Sequence, residues 1–262
     1  MKLKMYQIDA FTDRVFSGNP AAVCPLDAWL PDNLMQNIAL ENNLSETAFY
    51  VKQGDEYLIR WFTPTVEVDL CGHATLATAH VLFNHEHHTD NEILFRSHRS
   101  GVLKVFRNDH LLTLDFPSDT LDKIQWFGEM NAGFNVIPIE GYKGKTDYLL
   151  VFENEDQIKN IQPNYSVISR WKVRGVIVTA KGKNVDFVSR FFAPQSGVNE
   201  DPVTGSAHTT LTPYWAEKLG KTELSAIQLS DRKGYLTCKY MGDRVHISGQ
   251  ARTYLVGEIE VE

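Results

Sequence analysis

Two short stretches and one isolated glutamate hold the residue types able to do chemistry in this chain. Glu200-Asp-Pro-Val-Thr-Gly-Ser-Ala-His208 follows an extended apolar run, Asp186–Phe192, and precedes a segment that reads as a helix ending near Gly220. Small residues at a helix start leave first-turn N–H groups available to an anion. The plainer alternative is a capped helix after a turn, since Asp, Thr, Gly and Ser are ordinary cap residues. Cys71-Gly-His-Ala-Thr75 opens a second segment, apolar all round to Phe83, which predicts a buried helix. Glu46 sits in Leu44-Ser-Glu-Thr-Ala-Phe-Tyr-Val51, which alternates as a strand does, among apolar neighbours rather than in a charge run. A carboxylate in a partly desolvated pocket can remove a proton from one carbon and return it to another. A strand-edge ion pair is the plainer role for it.

The other polar candidates divide in the same way. His73 can protonate, hydrogen-bond or hold a substrate carboxylate near neutral pH, or simply bond a neighbouring carbonyl. Asp201 can orient His73, accept a substrate hydroxyl or amine, or cap its helix. Gly72 and Gly205 allow close approach of backbone N–H groups to an anion, and Ser206 adds a hydroxyl. Asn19, in the breaker cluster Ser17-Gly-Asn-Pro20, is read as a polar contact facing a cleft or as part of a turn. Cys71 reads as a buried small residue more than as a nucleophile. His85-Glu-His-His88 with Asp90 resembles a metal cluster, but neighbouring rings at that spacing rarely converge, so no metal site is assigned. No phosphate loop or dinucleotide fingerprint occurs, and no cofactor is expected.

These residues need elements to carry them. The chain has 262 residues, 43% hydrophobic and 23% charged, enough for one large or two ordinary domains with packed cores. A net charge of -7 argues against a nucleic-acid surface. Three scattered cysteines, Cys24, Cys71 and Cys238, fit no disulfide framework. With no signal-peptide pattern and no window long enough to span a membrane, a cytoplasmic protein is the expectation.

Strands are predicted at Tyr6–Ala10, 21–24, 44–51 and 57–63, then at 93–96, 101–106 and 111–116. After Pro117 they recur at 147–151, 175–179, 186–192, 236–240, 245–247 and 254–261. A helix opens at Pro31 and ends at Asn42-Asn43, and a short one covers 156–161. The stretch from Trp126 to Ile139 has no clear pattern. Pro213 predicts a kink or a 3₁₀ start in the helix after Gly205.

An internal repeat organises this rhythm. Arg60-Trp-Phe-Thr-Pro64 is answered by Arg190-Phe-Phe-Ala-Pro194 at an offset of 130, and Gly72 by Gly205 at 133. Gly101-Val-Leu matches Gly234-Tyr-Leu, and Leu112 and Leu114 match Val245 and Ile247. Duplication is therefore expected, with halves at about 1–117 and 118–262 and a last strand, about 252–262, free to pair with either. A pseudo-twofold would bring both helix starts to one cleft, a carboxylate-binding device. At the 130 offset Glu46 faces Val176, so only one half carries the carboxylate.

Gly18-Asn-Pro20, Leu44–Phe49, Phe62-Thr-Pro64, Glu67–Thr75, Glu200–His208 and Gln228-Leu-Ser-Asp-Arg232 together resemble the PhzF-like proteins of phenazine biosynthesis. The resemblance spans nearly the whole chain. It implies the diaminopimelate epimerase-like fold: α+β, two pseudo-symmetric domains, each a curved, mostly antiparallel sheet around a central helix. It further implies a cofactor-independent isomerase acting on a small carboxylic acid held between the domains, commonly as a homodimer. By resemblance Glu46 is the acid/base, while His73, Asp201 and Ser206 line the site. Epimerases of the fold use paired cysteines at the two helix starts. Here Cys71 stands at the first, and the second offers Pro202 and no thiol. Lys233 departs from the family pattern, where a second glycine is expected.

Overall fold

The computed structural model describes residues 1–125 and 128–261. Trp126, at the head of the segment without a sequence pattern, lies outside the described residues; the rest of that segment holds the short helix Gly128–Asn131 and a bridge from Phe134 to Pro163. The chain divides into two compact units, Met1–Asp115 with Ser248–Glu262, and Phe116–Ile247.

The first unit contains β1 (Lys2–Ala10), β2 (Asn19–Leu26), α1 (Asp32–Asn42), β3 (Glu46–Gln53), β4 (Glu56–Phe62) and β5 (Glu67–Val68). It continues through α2 (Gly72–Asn84), β6 (Glu92–Ser97), β7 (Gly101–Asn108) and β8 (Leu111–Pro117). The second runs through β9 (Asp122–Lys123), α3 (Gly128–Asn131), β10 (Glu140–Lys143), β11 (Asp147–Val151), α4 (Glu155–Asn160), α5 (Tyr165–Ile168), β12 (Gly175–Lys181) and β13 (Phe187–Ala193). A 3₁₀ turn, then β14 (Val198–Asp201), α6 (Gly205–Leu219), β15 (Glu223–Gln228), β16 (Gly234–Tyr240) and β17 (Arg244–Gly249) follow. The last strand, β18 (Ala251–Glu260), returns to the first unit and pairs antiparallel along all of β1.

One pairing order recurs in both units. β2–β3 and β11–β12 are parallel; β3–β4 and β12–β13 are antiparallel. Then β4–β6 and β13–β15 are parallel, and β6–β7 and β15–β16 are antiparallel. Even the ion pairs recur. Arg60 forks onto Glu67 at 2.8 and 2.9 Å and lies over Phe62, while Arg190 forks onto Glu200 at 2.7 Å twice and lies over Phe192. Both pairs are largely buried, where a bidentate arginine is worth more than a surface bridge.

The register sharpens one correspondence. Thr47 pairs with Phe62 and Val176 with Phe192, so the partner of Glu46 by position is Gly175, not Val176. A Cβ at Gly175 would fall 2.2 Å from the Phe191 ring, so packing admits no side chain there.

Each unit is centred on one helix. In α2, eleven of thirteen residues are buried, as expected for a helix apolar on all sides. α6 runs as a single α-helix through Pro213. Proline leaves the carbonyl four residues back without its intrahelical donor. That carbonyl, on Thr209, is taken by the backbone N–H of Asp119 at 3.2 Å, and Thr210 Oγ1 donates to the Asp119 carboxylate at 2.8 Å. An external strap therefore replaces the missing hydrogen bond, and no 3₁₀ start is needed.

Lys233, at the departure from the family pattern, occupies the left-handed region with φ 56°. Its N–H donates to the Ser230 carbonyl at 3.2 Å and Oγ at 3.1 Å, closing the β15–β16 turn. A side chain in that conformation costs about 1–2 kcal/mol, partly offset by the greater unfolded-state entropy of glycine. Lys233→Gly is therefore expected to stabilise the protein by about 0.5–1 kcal/mol, read as a raised urea midpoint, while Lys233→Ala leaves the midpoint unchanged. A lowered midpoint for the glycine variant would show that the Lys233 side chain contributes more than its backbone costs.

Candidate active site

In the first unit the chain from Phe11 to Gly18 turns through three positive φ angles, at Phe11, Phe16 and Gly18. The buried carboxylate of Asp9 holds this turn by accepting from the Phe16 N–H at 2.9 Å. Gly18 is obligatory, because a Cβ there would lie 2.1 Å from the Ala10 carbonyl oxygen. The turn is complete by Gly18, so β2 starts at once and Asn19 pairs with Ala10. Asn19 is thus a strand residue, 0% exposed, rather than a loop residue on an open cleft.

Asn19 reaches the start of α2, where its Nδ2 lies 3.1 Å from His73 Nδ1. Cys71, the residue preceding α2, places its Sγ 3.5 Å from the same ring nitrogen. On the other side of the ring, Nε2 lies 3.2 Å from Oε2 of Glu46, the first residue of β3. The pair is within ion-pair range but falls short of hydrogen-bond alignment, so it is a close approach rather than an aligned bond. His73 is 3% exposed, and burial depresses its pKa to about 3, so the ring is neutral. The Glu46 side chain keeps 16% exposure, which leaves it reachable.

Glu46, Cys71 and His73 offer donor atoms within 4.8 Å of one another, the one such group among the described residues. Glu46 meets Nε2, however, and Cys71 meets Nδ1. The His73 ring therefore lies between the Glu46 carboxylate on one nitrogen and the Asn19 amide and Cys71 thiol on the other. The histidines 85–88 find separate partners: His85 Nε2 contacts Thr253 Oγ1 at 2.8 Å, while His88 meets Tyr57 Oη at 3.2 Å and the Glu92 carbonyl at 3.0 Å.

In the second unit, the two acids that open the motif point to different tasks, as alternate residues of a strand must. Glu200 is the partner of Arg190. Asp201 accepts from Thr204 Oγ1 at 2.6 Å. Thr204 precedes α6 as Cys71 precedes α2, so the residue corresponding to Cys71 is Thr204 and not Pro202; neither carries a thiol. Gln228, fully buried, accepts from the Thr204 N–H at 2.8 Å and donates to the Asp201 carbonyl at 2.7 Å, which fixes the loop leading into the helix. Gly205 and Ser206 follow as the first helical residues.

Arg174 and Asp147 were not among the residues singled out from sequence. Arg174 Nε donates to Asp147 Oδ1 at 2.9 Å, Nη2 to its Oδ2, and Nη1 to Ser206 Oγ at 3.0 Å. Asp147 is 2% exposed and Arg174 38%, so a buried acid anchors a cation that stays half in water beside Ser206. The sequence hint was that Arg174 ends the cationic stretch Arg170-Trp-Lys-Val-Arg174 just before the apolar run Gly175–Thr179. A cation next to the positive end of a helix favours an anionic group there. A concavity of about 620 Å³ near Tyr142, Pro213, Tyr214 and Lys218 contains none of these groups, and Lys218 there already pairs with Glu140 at 2.9 Å.

Comparison with known proteins agrees with this geometry. The model of the phenazine biosynthesis-like protein family matches residues 8–257. An uncharacterized isomerase of Pseudomonas aeruginosa is 51% identical over 262 residues, covering all of both chains. The crystal structure of a PhzF-family phenazine biosynthesis protein from Enterococcus faecalis superposes with a TM-score of 0.96 at 48% identity, again over all of both chains. A hydroxyproline epimerase from Agrobacterium vitis, 10% identical, covers 98% of this chain and 92% of its own with a TM-score of 0.62, a likeness of fold alone. The α+β fold, with a mostly antiparallel sheet around a central helix in each unit, is therefore that of the epimerase-like class. The chain belongs to the phenazine biosynthesis-like (PhzF) protein family, whose relatives include proteins named as isomerases.

Proposed function

We propose that this protein is a cofactor-independent isomerase that shifts a proton within a small carboxylic acid. The observation that carries the reading is Glu46, a reachable carboxylate held against a buried neutral histidine at a helix start. In the ionised state Glu46 takes a proton from one substrate carbon as the C–H electron pair moves into the conjugated system. The protonated Glu46 then delivers that proton to another carbon, so the net change is an isomer and no oxidant or reductant is consumed. A single base suffices, and the second unit has only Gly175 at the matching position. In the first unit Gly72 and His73 of α2 bind the substrate's polar groups; in the second, Asp201, Gly205 and Ser206 are assigned to binding by the family resemblance. Arg174 supplies positive charge beside Ser206.

Epimerisation at one carbon is the second reading, favoured by the fold's likeness to an epimerase; the absence of a thiol preceding α6 counts against a two-cysteine version. Incubation with candidate carboxylic acids in D₂O, followed by mass spectrometry and NMR, separates the cases. A double-bond shift places deuterium on a new carbon, and epimerisation places it on the original carbon with inversion. A protein that only binds gives neither isomer nor exchange, and the absence of both with every acid that binds would end the proposal.

The homodimer and the internal duplication belong to the same reading. Duplication is supported by the recurring strand pairings and Arg–Glu forks. The dimer is supported by exposed Phe16, Tyr254, Leu255 and Val256, with the Phe16 and Tyr254 rings 5.7 Å apart. Such an apolar patch suits a second copy. Sedimentation is expected to give twice the chain mass for the native protein and the monomer mass for Val256→Glu; a monomeric native protein would remove the claim. Among the described residues no helix is long and apolar enough to cross a membrane.

A further inference from the structure

The His73 ring is touched on both of its nitrogens, and the two sides agree about where its proton lies. Facing Nδ1 are Asn19 Nδ2 at 3.1 Å and Cys71 Sγ at 3.5 Å. An amide NH₂ donates only, and a thiol can donate. Facing Nε2 is Glu46 Oε2 at 3.2 Å, and an ionised carboxylate accepts only. We propose that Asn19 is a positioning residue that holds His73 as the tautomer protonated on Nε2, so that the ring presents a donor to Glu46.

The alternatives each carry a specific conflict. Turning the Asn19 amide over would set its oxygen against Nδ1 and demand a proton there. The lone pair of Nε2 would then face a carboxylate oxygen at 3.2 Å, two acceptors in a buried setting. An imidazolium would satisfy Glu46 but would meet the Asn19 NH₂ with a second donor, inside a site that is almost fully buried. With Glu46 ionised, the Nε2–H tautomer is the one that leaves no like pair in contact.

This assignment explains why a strand residue with no exposure belongs to the Gly-Asn-Pro motif. Asn19 acts through the ring, and the tight turn at Gly18 exists to seat it. A donor opposite Glu46 favours the ionised carboxylate and so readies it as the base before substrate arrives. That last step rests on Glu46 being the acid/base; the tautomer itself does not.

The test is therefore spectroscopic and needs no turnover. Protein labelled with ¹⁵N in its histidine rings is examined by long-range ¹H–¹⁵N correlation at pH 7 and pH 5, with His73→Gln used to assign the resonances. The expected pattern is an unprotonated Nδ1 and a protonated Nε2 at both pH values. A protonated Nδ1, or a doubly protonated ring at pH 7, overturns the proposal. Asn19→Asp puts an obligate acceptor against Nδ1, and its spectrum is expected to show the proton moved to that nitrogen. In the same variant kcat for proton exchange is expected to fall about 10- to 100-fold with KM little changed. A variant that keeps the Nε2–H pattern and full kcat overturns the role given to Asn19. If instead the tautomer is as stated but no acid is exchanged or isomerised, the isomerase reading fails while the tautomer stands.

Discussion

Glu46→Gln is expected to lower the rate of carbon–deuterium exchange about 10³-fold, with substrate affinity changed by less than about threefold. The size follows from removing the one group that both takes and returns the proton, a role worth about 10²–10⁴-fold when filled by a positioned side chain. Retained affinity follows from shape. Glutamine has the same length and branching, and its amide oxygen can still accept from the His73 ring. The backbone of residue 46 stays paired with Ala21 in the parallel β2–β3 ladder, which involves no side chain. Because the native side chain is only 16% exposed, the neutral variant is expected to be as stable as the parent or slightly more so. The measurements are exchange in D₂O and a binding titration on the same preparation. Undiminished exchange by Glu46→Gln would remove Glu46 as the base, whatever else the protein does. Loss of both binding and stability would identify it as a structural partner of His73.

Much of this centre was legible in the sequence because it depends on local rules. The buried α2 was readable from an apolar run that leaves no polar face, and the start of α6 from small residues after a proline. The repeat was readable because an arginine, an aromatic pair and a proline recurred in one order, and the structure shows what the arginines do there: each forks onto a glutamate. What was not legible came from register and from long-range partners. A single-residue shift in pairing moved the counterpart of Glu46 from Val176 to Gly175, and only the ladder fixes that. Glu200 and Asp201 are adjacent and chemically alike, yet alternation sends one to Arg190 and the other to Thr204. Asn19 read as a loop residue because Gly and Pro flank it; three positive φ angles complete the turn earlier than composition suggests. Arg174 was hidden because its partners, Asp147 and Ser206, lie 27 and 32 residues away, and no local pattern encodes such pairs.

Stability is expected to fall steeply as pH drops from 6.5 toward 4, well before the carboxylates titrate. Three histidines are held as neutral rings, His73 and His208 buried and His80 partly buried: desolvation depresses His73 to about 3, and His80 and His208 to about 4. For His80 the nearby His85 and Arg252 charges add to the burial effect, whereas for His208 the hydrogen bond to the Thr204 carbonyl opposes it. A histidine in the unfolded chain titrates near 6.5. Below that pH the unfolded state binds protons that the folded state refuses, so folding is favoured above about 6.5 and progressively lost below it. Each such ring contributes a slope of about 1.4 kcal/mol per pH unit, so three give about 4 kcal/mol per unit at full effect. Against a total stability on the order of 5–15 kcal/mol, the roughly 8 kcal/mol lost over two pH units would unfold a protein at the low end of that range and weaken one at the high end. Urea titrations at pH 7.5, 6.5, 5.5 and 4.5 measure the slope directly. His208→Gln is expected to reduce it by about a third, because that ring bonds the Thr204 carbonyl and lies against the Phe187 ring, and glutamine keeps an amide donor for the carbonyl without a titrating charge. A midpoint that stays level from pH 7.5 to 5.5 would mean that these rings gain protons while folded. It would also remove the neutral His73 on which the donor toward Glu46 depends.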